Sequence, residues 1–229
     1  MNGRYIAAGL ILGFSSLAAH GQTILASMAE PETAAAQTGW ELGTRITHYT
    51  FVDDTKGKKF EGSYIGSLYQ IKDDQNYAPT KLFAQYFFTP YFGAGASYEE
   101  VRAVTWDGGG TDGTIELKGP IAYLIGRMPD YDLIRPYAEL GLAFYSASFD
   151  YDRAWYEGGR RQMGVDDSVG LSLGLGADIL LSERWSLNLM ARYTEASVDA
   201  TVYVNGNSPD HGNFKMDYYS YGIGAKYCF

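Results

Sequence analysis

The final stretch of the chain, residues 216–229, alternates between two kinds of side chain. Counting back from the last residue in steps of two gives one apolar, aromatic face and one face that is small or polar. Alternate side chains of a β-strand point to opposite faces, so we predict a strand between two different environments. An aromatic last residue suits a strand that ends at a lipid–water interface. The first face holds Tyr219, Tyr221, Ile223, Ala225, Tyr227 and Phe229, and the second holds Tyr218, Ser220, Gly222, Gly224, Lys226 and Cys228.

The same alternation recurs along most of the chain. It is cleanest in residues 168–181, where Val169, Leu171 and Leu173 begin a row that alternates with glycine, serine and a single aspartate. The 28 glycines and 20 tyrosines are poor helix material, so the segments are predicted as strands. For residues 60–71 the sequence allows two interpretations, an extension of a strand above the membrane or a hairpin within the first loop. The other predicted strands are at about 40–51, 77–88, 91–106, 114–126 and 134–149, and from 185 onward.

The connections between these eight predicted strands alternate in length. They are long after the first, third, fifth and seventh strands and short after the second, fourth and sixth. Each strand has the roughly 10 residues that a tilted spanning strand requires. An open sheet edge in hydrocarbon would leave unpaired backbone groups, so the sheet must close. The sequence therefore predicts an all-β protein, an eight-stranded antiparallel up-and-down transmembrane β-barrel.

A soluble lipocalin-like barrel or a soluble sandwich is the rival interpretation. Either would expose the second face of each strand to water, and that face should then be charged. In residues 168–181 and 216–229 it carries mostly glycine and serine, which suit a crowded barrel interior better. Aromatic residues also collect at one predicted rim, as in a membrane barrel. They are Trp40, Phe88, Phe92, Trp185, Tyr227 and Phe229.

The amino-terminal residues predict an exported protein. Arg4 is followed by an apolar run with small residues over 5–19, and no acidic residue occurs before Glu30. This pattern is typical of a signal peptide, predicted over 1–29 with cleavage near 21 or 29, which leaves 30–229 as the barrel domain. A buried or membrane-anchoring helix is the alternative. Cys228 is the only cysteine, which excludes an internal disulfide, and the formal net charge of -9 argues against nucleic acid as a partner.

The predicted interior carries charges of both signs in nearly equal number. A barrel of eight strands has just enough interior for side chains to fill, and charges there must be paired. We therefore predict a network of salt bridges that is filled further by Tyr137 and Tyr145 and has no transport role, since a selective pore would favour one sign. The predicted members of this network are Glu41, Arg45, Lys81, Glu99, Glu116, Lys118, Arg135, Glu139, Asp178, Arg192 and Lys226.

No catalytic or metal site is predicted. Outside the leader, the histidines are His48 and His211, and neither lies in a His-x-Ser arrangement on a strand. The glycine run 108–110 is not followed by the Lys-Ser/Thr pair of a phosphate loop. The Asp-rich segments 53–54, 73–74 and 166–167 could bind divalent cations or bridge to lipopolysaccharide, but as solvated turns they need no such role. We predict no cofactor.

The strand pattern, the loop parity and the Tyr227-x-Phe229 ending together resemble small eight-stranded outer-membrane β-barrel proteins. These include the membrane domain of outer-membrane protein A and its relatives X and W, and the ending resembles their carboxy-terminal assembly signal. The resemblance implies a monomer in the outer membrane of a Gram-negative-type bacterium, with outer-membrane lipids and the barrel-assembly machinery as partners. A structural or surface-interaction role is the first hypothesis. The alternatives are a narrow channel for ions or for small or hydrophobic solutes, and, less favoured, a lipid-modifying enzyme.

Overall fold

The structure is a computed structural model that describes residues 38–52, 58–59, 70–73, 77–106, 111–128, 133–152, 161–204 and 209–229. The predicted signal peptide and residues 60–69 lie outside the described residues. The strands are β1 (Gly39–Phe51), β2 (Lys58–Lys59), β3 (Gln70–Asp73), β4 (Tyr77–Phe87), β5 (Phe92–Trp106), β6 (Thr111–Arg127), β7 (Ile134–Tyr151), β8 (Arg161–Val165), β9 (Ser168–Leu180), β10 (Trp185–Glu195), β11 (Ser197–Val204), β12 (Asp210–Lys215) and β13 (Tyr218–Cys228).

Eight of these strands close into a barrel. Around the wall the order is β1, β4, β5, β6, β7, β9, β10 and β13, and β13 returns to pair with β1. All neighbours are antiparallel, and the closing ladder pairs Leu42 with Tyr227 and Ile46 with Ile223. The predicted fold class is confirmed. β3 adds to β5 beyond the point where β4 leaves it.

The short connections have local hydroxyl groups that fix their turns. Thr89 Oγ1 accepts hydrogen bonds from the backbone N–H groups of Tyr91 and Phe92, at 3.3 and 2.9 Å. Ser182 Oγ accepts from the N–H of Trp185 at 3.1 Å. Serine and threonine stabilise tight turns in this way. The turns mark one rim, which we call the short-turn end, and the opposite rim is the long-loop end.

The two faces of the wall differ in the way the sequence predicts. In β13 the tyrosines at 219 and 221 point outward and are exposed, whereas Ser220 and Lys226 point inward and are buried. In β9 the outward leucines are exposed, and Leu175 is 64% exposed. An apolar surface of this extent requires an apolar surrounding. Within the described residues, no helix is long and apolar enough to cross a membrane.

Inward glycines make room for large rings. A side chain added at Gly141 would come within 2.8 Å of Tyr123, and one added at Gly176 would overlap the Tyr137 ring. Tyr123 and Tyr137 are both almost fully buried. The glycines of the inward face therefore let tyrosines from neighbouring strands lie flat across the narrow lumen.

At the long-loop end the strands continue past the barrel into a second sheet. It contains four strands in the order β2, β12, β11 and β8. Residues 150–167 were predicted as a loop, but 150–151 extend β7 and 161–165 form β8. Short breaks at one height separate the barrel strands from this sheet, and we call the residues of these breaks the wall bend. They are residues 166–167, 196 and 216–217. Of the segment 60–71, for which the sequence left two interpretations open, the described residues 70–71 belong to β3.

Apolar side chains fill the interior at the long-loop end. One cluster of buried residues joins inward positions of β5 and β6 to inward positions of β11 and β12. It includes Val101, Ile115, Leu117, Val198, Val202 and Phe214. The interior is therefore apolar beyond the wall bend, whereas within the barrel polar side chains lie together with buried apolar ones such as Phe87, Ile121 and Ile125.

The predicted orientation of residues 114–126 is wrong. Ile115 and Leu117 point inward and are fully buried, so Glu116 and Lys118 lie on the outer surface rather than in the interior network. The side chain of Lys118 is 48% exposed. The same orientation holds along the rest of β6, where Ile121, Tyr123 and Ile125 are buried and Leu124 is 64% exposed. The physical reason is that these inward side chains fill the lumen, as Tyr123 does in the space left by Gly95 and Gly141.

Candidate functional site

The barrel interior near the short-turn end holds a buried ion cluster around Glu41. Arg127 Nη2 lies 2.6 Å from Glu41 Oε1, and Lys226 Nζ lies 2.8 Å from Glu41 Oε2. Gln85 Nε2 donates to the same carboxylate at 2.6 Å. Lys226 also pairs with Asp178, so one ammonium joins two carboxylates. Glu41, Gln85, Arg127, Asp178 and Lys226 form what we call the lower cluster.

The lower cluster is tied to the wall by Asn188. Its Nδ2 donates to Asp178 Oδ1 at 2.7 Å and to the hydroxyl of Tyr137 at 2.9 Å. The Tyr137 hydroxyl in turn donates to the carbonyl of Leu189 at 3.1 Å. Hydrogen bonds of this kind fix the geometry of a buried ion pair and offset part of its desolvation cost.

A second cluster lies above the first, centred on Arg192. Its Nη1 lies 2.8 Å from Glu99 Oε1, and its Nη2 lies 2.6 Å from Glu139 Oε2. Arg45 Nη2 approaches the other Glu139 oxygen at 3.9 Å, and its guanidinium lies 4.0 Å above the Phe83 ring. Arg45, Glu99, Glu139 and Arg192 form the middle cluster, in which every side chain is buried. A guanidinium between two carboxylates is the arrangement that its fixed fork of donors favours.

A pair of tyrosines closes the polar interior from above. The Tyr218 hydroxyl donates to Glu99 Oε2 at 2.7 Å, and Tyr145 and Tyr218 share a hydrogen bond between their hydroxyls. Both rings also belong to the apolar cluster of the long-loop end. These two side chains therefore join the polar and apolar halves of the interior.

Most of the predicted network residues occupy the barrel interior, and two do not. The structure brings together Glu41, Asp178 and Lys226 in the lower cluster, and Arg45, Glu99, Glu139 and Arg192 in the middle cluster. Arg135 is also buried, and it pairs with Asp178 in the ladder between β7 and β9. Lys81 is half-buried in the wall. Glu116 and Lys118 lie outside, as described above.

The predicted network left out four polar residues that contact the two clusters: Gln85, Ser97, Arg127 and Asn188. Arg127 follows Gly126, where the predicted strand ended, although it continues the inward register of Ile125. Extending the predicted strand by one residue would have included Arg127 but on the outward face, because the prediction placed Ile125 there. Gln85, Ser97 and Asn188 are uncharged and did not stand out among the inward positions.

On the outer surface, Glu116 and Lys118 belong to a separate charged group. Arg102 Nη2 lies 2.8 Å from Glu116 Oε1 and 2.9 Å from Glu100 Oε1, and Lys118 Nζ lies 3.3 Å from Glu116 Oε2. The hydrogen bond to Glu116 raises the pKa of Arg102. Exposed pairs like these contribute little to stability.

The wall has a gap in its hydrogen-bond ladder between β4 and β5. The β4 ladder reaches Ser97 and the β3 ladder resumes at Ala103, so the stretch between them has no strand partner on that side within the described part of the chain. Side chains take the place of the strand. The Tyr49 hydroxyl accepts from Arg102 N–H at 3.1 Å and donates to its carbonyl at 3.2 Å. Lys81 Nζ donates to the Glu100 carbonyl at 3.1 Å.

Both histidines outside the predicted leader are exposed. His48 is exposed on the outer face of β1, and His211 is exposed on β12, where its Nδ1 lies 3.0 Å from Thr201 Oγ1. In the described ranges, no three His, Cys, Asp or Glu side chains converge as a metal site would require.

The rim at the short-turn end is aromatic. Trp185 and Tyr227 have ring centroids 5.0 Å apart, and Tyr227 and Phe229 are also 5.0 Å apart. The Phe229 N–H donates to the Trp40 carbonyl at 3.1 Å, so the last residue is held by the first strand. Rings at this position form the girdle typical of a membrane barrel.

Comparisons with known proteins agree with this architecture. The model of the outer membrane protein beta-barrel domain family matches residues 11–229. The crystal structure of the outer membrane protein OprG from Pseudomonas aeruginosa superposes with a TM-score of 0.71 at 18% identity, covering 86% of this chain and 99% of OprG. The structure of the outer membrane protein AlkL, determined in lipid bilayers by solid-state NMR, superposes with a TM-score of 0.60 at 14% identity. The match covers 84% of this chain and 90% of AlkL. At such identities these structures show the fold alone. A search of curated protein sequences found no match.

Proposed function

The chain belongs to the outer membrane protein beta-barrel domain family, and from that premise we propose that it is a barrel closed along its axis that acts through its extracellular surface. Short turns of such barrels lie in the periplasm and longer loops lie outside. The short-turn end is then periplasmic and the long-loop end is extracellular. We assign no catalytic role to the described residues.

The observation that carries this proposal is the stack of two buried ion clusters. The lower and middle clusters lie one above the other, and their charged side chains are at most 5% exposed. An ion that crossed the barrel would have to displace pairs that are already matched in charge, at a large desolvation cost. Selective pores instead place one sign of charge around an open constriction.

The extracellular part has the build of a rigid platform. β8, β11, β12 and β2 form a sheet that packs over the apolar cluster, and β7 extends to Tyr151 beside it. A segment with its own buried core holds its outer face in one conformation. Such a face suits recognition of another surface.

The test separates the platform from the barrel. In a variant that replaces residues 198–214 by a two-residue Asn-Gly turn, the barrel should still insert and shift on gels when heated. We expect cells that carry this variant to lose adhesion to protein-coated surfaces relative to wild-type cells. Proteoliposomes with either protein should swell in sugar solutions no faster than empty ones. Fast swelling with both proteins and equal adhesion would overturn the proposal.

A second candidate function is passage of small apolar solutes through the wall. The gap between β4 and β5 favours it, because side chains rather than a strand close the wall there. Side-chain contacts can open without breaking a continuous ladder. On this candidate, a solute would enter the apolar cluster from outside and leave sideways into the membrane, and the axial clusters would stay closed.

Removing the Tyr49 hydroxyl should weaken the wall. Tyr49→Phe leaves the N–H and the carbonyl of Arg102 without their partner, which costs about 1–3 kcal/mol. We expect that loss in urea unfolding of the refolded protein. Tyr203→Phe, on an exposed tyrosine of β11, is the matched control and should change stability by less than about 0.5 kcal/mol. If wall passage occurs, Tyr49→Phe also speeds uptake of a fluorescent hydrocarbon. An unchanged uptake rate in a destabilised variant would count against it.

We also propose that the protein is exported through the signal peptide 1–29 and that Tyr227 and Phe229 form the signal for barrel assembly. Phe229→Ser keeps the backbone bond to Trp40 but removes a ring from the rim. We expect several-fold less heat-modifiable barrel in cells, whereas refolding of the purified variant in detergent should proceed normally. Tyr151→Ser, on an exposed aromatic of the opposite end, controls for loss of any ring. If both variants assembled as well as the wild type, Phe229 would not be part of the assembly signal.

A further inference from the structure

The outer surface of the wall has a cleft of about 280 Å³ at the wall bend. It extends across three adjacent positions in the wall, because Leu171 pairs with Glu195 and Ser197 pairs with Lys215. None of its lining residues belongs to the lower or the middle cluster. The residues that the argument uses are Val169, Leu171, Glu195, Ser197, Lys215 and Asp217.

The cleft is net negative, and the unpaired charge is on Glu195. Lys215 Nζ lies 2.8 Å from Asp217 Oδ2, so these two side chains neutralise each other. Asp217 has further donors, because its carboxylate accepts the Ala196 N–H at 3.1 Å and the Tyr193 hydroxyl at 3.2 Å. Glu195 is exposed, and its carboxylate has no ion pair or hydrogen bond with the residues that the structure describes. A ligand in the cleft therefore meets a carboxylate that needs a positive partner.

The floor of the cleft is apolar. Val169 and Leu171 are the uppermost outward residues of β9, and they are 66% and 50% exposed. Leu171 lies directly opposite Glu195 in the ladder between β9 and β10. The Cβ atoms of such a pair are about 5 Å apart. The carboxylate and an exposed hydrocarbon surface therefore lie side by side.

Charge and surface together specify the chemistry of a ligand. The carboxylate of Glu195 favours a cation, and the surface of Val169 and Leu171 favours a short hydrocarbon chain. Ser197 is exposed two residues from Glu195 on the same face, and its hydroxyl is a second acceptor. An ammonium has three N–H donors and can bond to both groups. An anion would be repelled by Glu195, and a neutral hydrocarbon would leave the carboxylate without a partner.

We propose that this cleft binds an aliphatic primary amine in its ammonium form. The ammonium donates to the Glu195 carboxylate and to the Ser197 hydroxyl, and the alkyl chain lies on Leu171 and Val169. The volume is at the low end for ligand sites, which suits a small amine of about six carbons. Binding at this site does not depend on whether the barrel axis is closed.

The test is an NMR titration with hexylammonium at neutral pH, on isotope-labelled protein refolded in a neutral detergent. We expect saturable shifts of the backbone amides of Gly170, Ala196 and Ser197, which line the cleft. Glu195→Gln should weaken binding about tenfold, as loss of one charge-assisted hydrogen bond does. Lys215→Ala should strengthen it about threefold, because the competing cation is removed. Ser197→Trp, which fills the cleft and keeps the charge of Glu195, should abolish the saturable shifts.

Glu183→Gln provides the matched control. Glu183 is an exposed glutamate of the short turn between β9 and β10, at the opposite end of the wall. This variant should bind hexylammonium as the wild type does. Equal weakening in Glu183→Gln and Glu195→Gln would mean a general charge effect, and would overturn the site. Weaker binding in Lys215→Ala would show that the lysine holds the ligand, which also contradicts the proposal.

Two analogues of the same chain length separate the amine from its parts. Hexanol has the chain without the charge, and hexyltrimethylammonium has the charge without N–H donors. Both should bind several-fold more weakly than hexylammonium. Hexanol that binds as tightly would show an apolar groove with no preference for an amine. Equally tight hexyltrimethylammonium would exclude the donated hydrogen bonds, and either result would overturn the proposal.

Discussion

Replacing Arg192 with methionine is expected to remove about 3–5 kcal/mol from the free energy of unfolding. Arg192 is 2% exposed and pairs with Glu99 and Glu139. Without it, two buried carboxylates face each other with no cation between them except the more distant Arg45. The measurement is urea unfolding of the protein refolded in lipid vesicles, followed by tryptophan fluorescence.

Arg102→Met is the control for this prediction. Arg102 also pairs with two glutamates, but on the outer surface, where such pairs contribute about 0–1 kcal/mol. In an Arg192→Met background, Glu99→Gln together with Glu139→Gln should recover part of the lost stability, because the buried charges are then gone. Equal effects of Arg192→Met and Arg102→Met would contradict the burial of the middle cluster.

Replacing Lys226 with methionine is expected to have an effect of similar size in the lower cluster. Its ammonium joins Glu41 and Asp178, and the residue is 1% exposed. Arg127 still holds Glu41 in the variant, so Asp178 loses more. We expect a loss of about 3–5 kcal/mol in the same urea titration.

A variant that combines Arg192→Met with Lys226→Met tests whether the two clusters are independent. Lys226 and Arg192 share no carboxylate partner. Their losses should therefore add to within about 0.5 kcal/mol. Lys118→Met, on the outer wall, is the control for loss of a lysine and should be nearly neutral. A large deviation from additivity would show one continuous network in place of two clusters.

The alternation in the sequence was sufficient to predict the barrel. In β9 and β13 one face meets lipid and the other meets a crowded polar lumen, so the period of two separates the side chains completely. The turns at Thr89 and Ser182 follow from residue types that stabilise tight turns. Strand number, antiparallel order and closure follow from these local features together with the need to satisfy every backbone group in lipid.

The sequence failed to predict the orientation of β6 and the second sheet. The prediction assumed that apolar residues face outward along the whole of each strand. That is wrong along all of β6, where Ile121 and Ile125 within the barrel pack inward as Ile115 and Leu117 do beyond it. A polar exterior and an apolar interior beyond the membrane explain why 161–165 and 197–204 were not predicted as strands of a second sheet. Their alternation is readable, with Val198, Ala200 and Val202 inward, yet it has the opposite sense to that of the spanning strands.

The partners within the interior could not be predicted from sequence. Arg127 lies in β6 and Glu41 in β1, far apart along the chain. They meet in the lumen only because the strands close into a barrel. Which inward charges meet depends on the stagger of every ladder around the wall. The sequence could predict that inward charges would be paired, but it could not predict the two clusters.

The measurement that tests the closed axis most directly is single-channel conductance of the refolded wild-type protein in a planar bilayer. The two buried clusters predict a silent membrane in the presence of inserted, heat-modifiable protein. Protease protection of the barrel in the same preparation would show that insertion took place. Steady openings of the wild-type protein would contradict the closed axis and would make the ion clusters part of a conducting path.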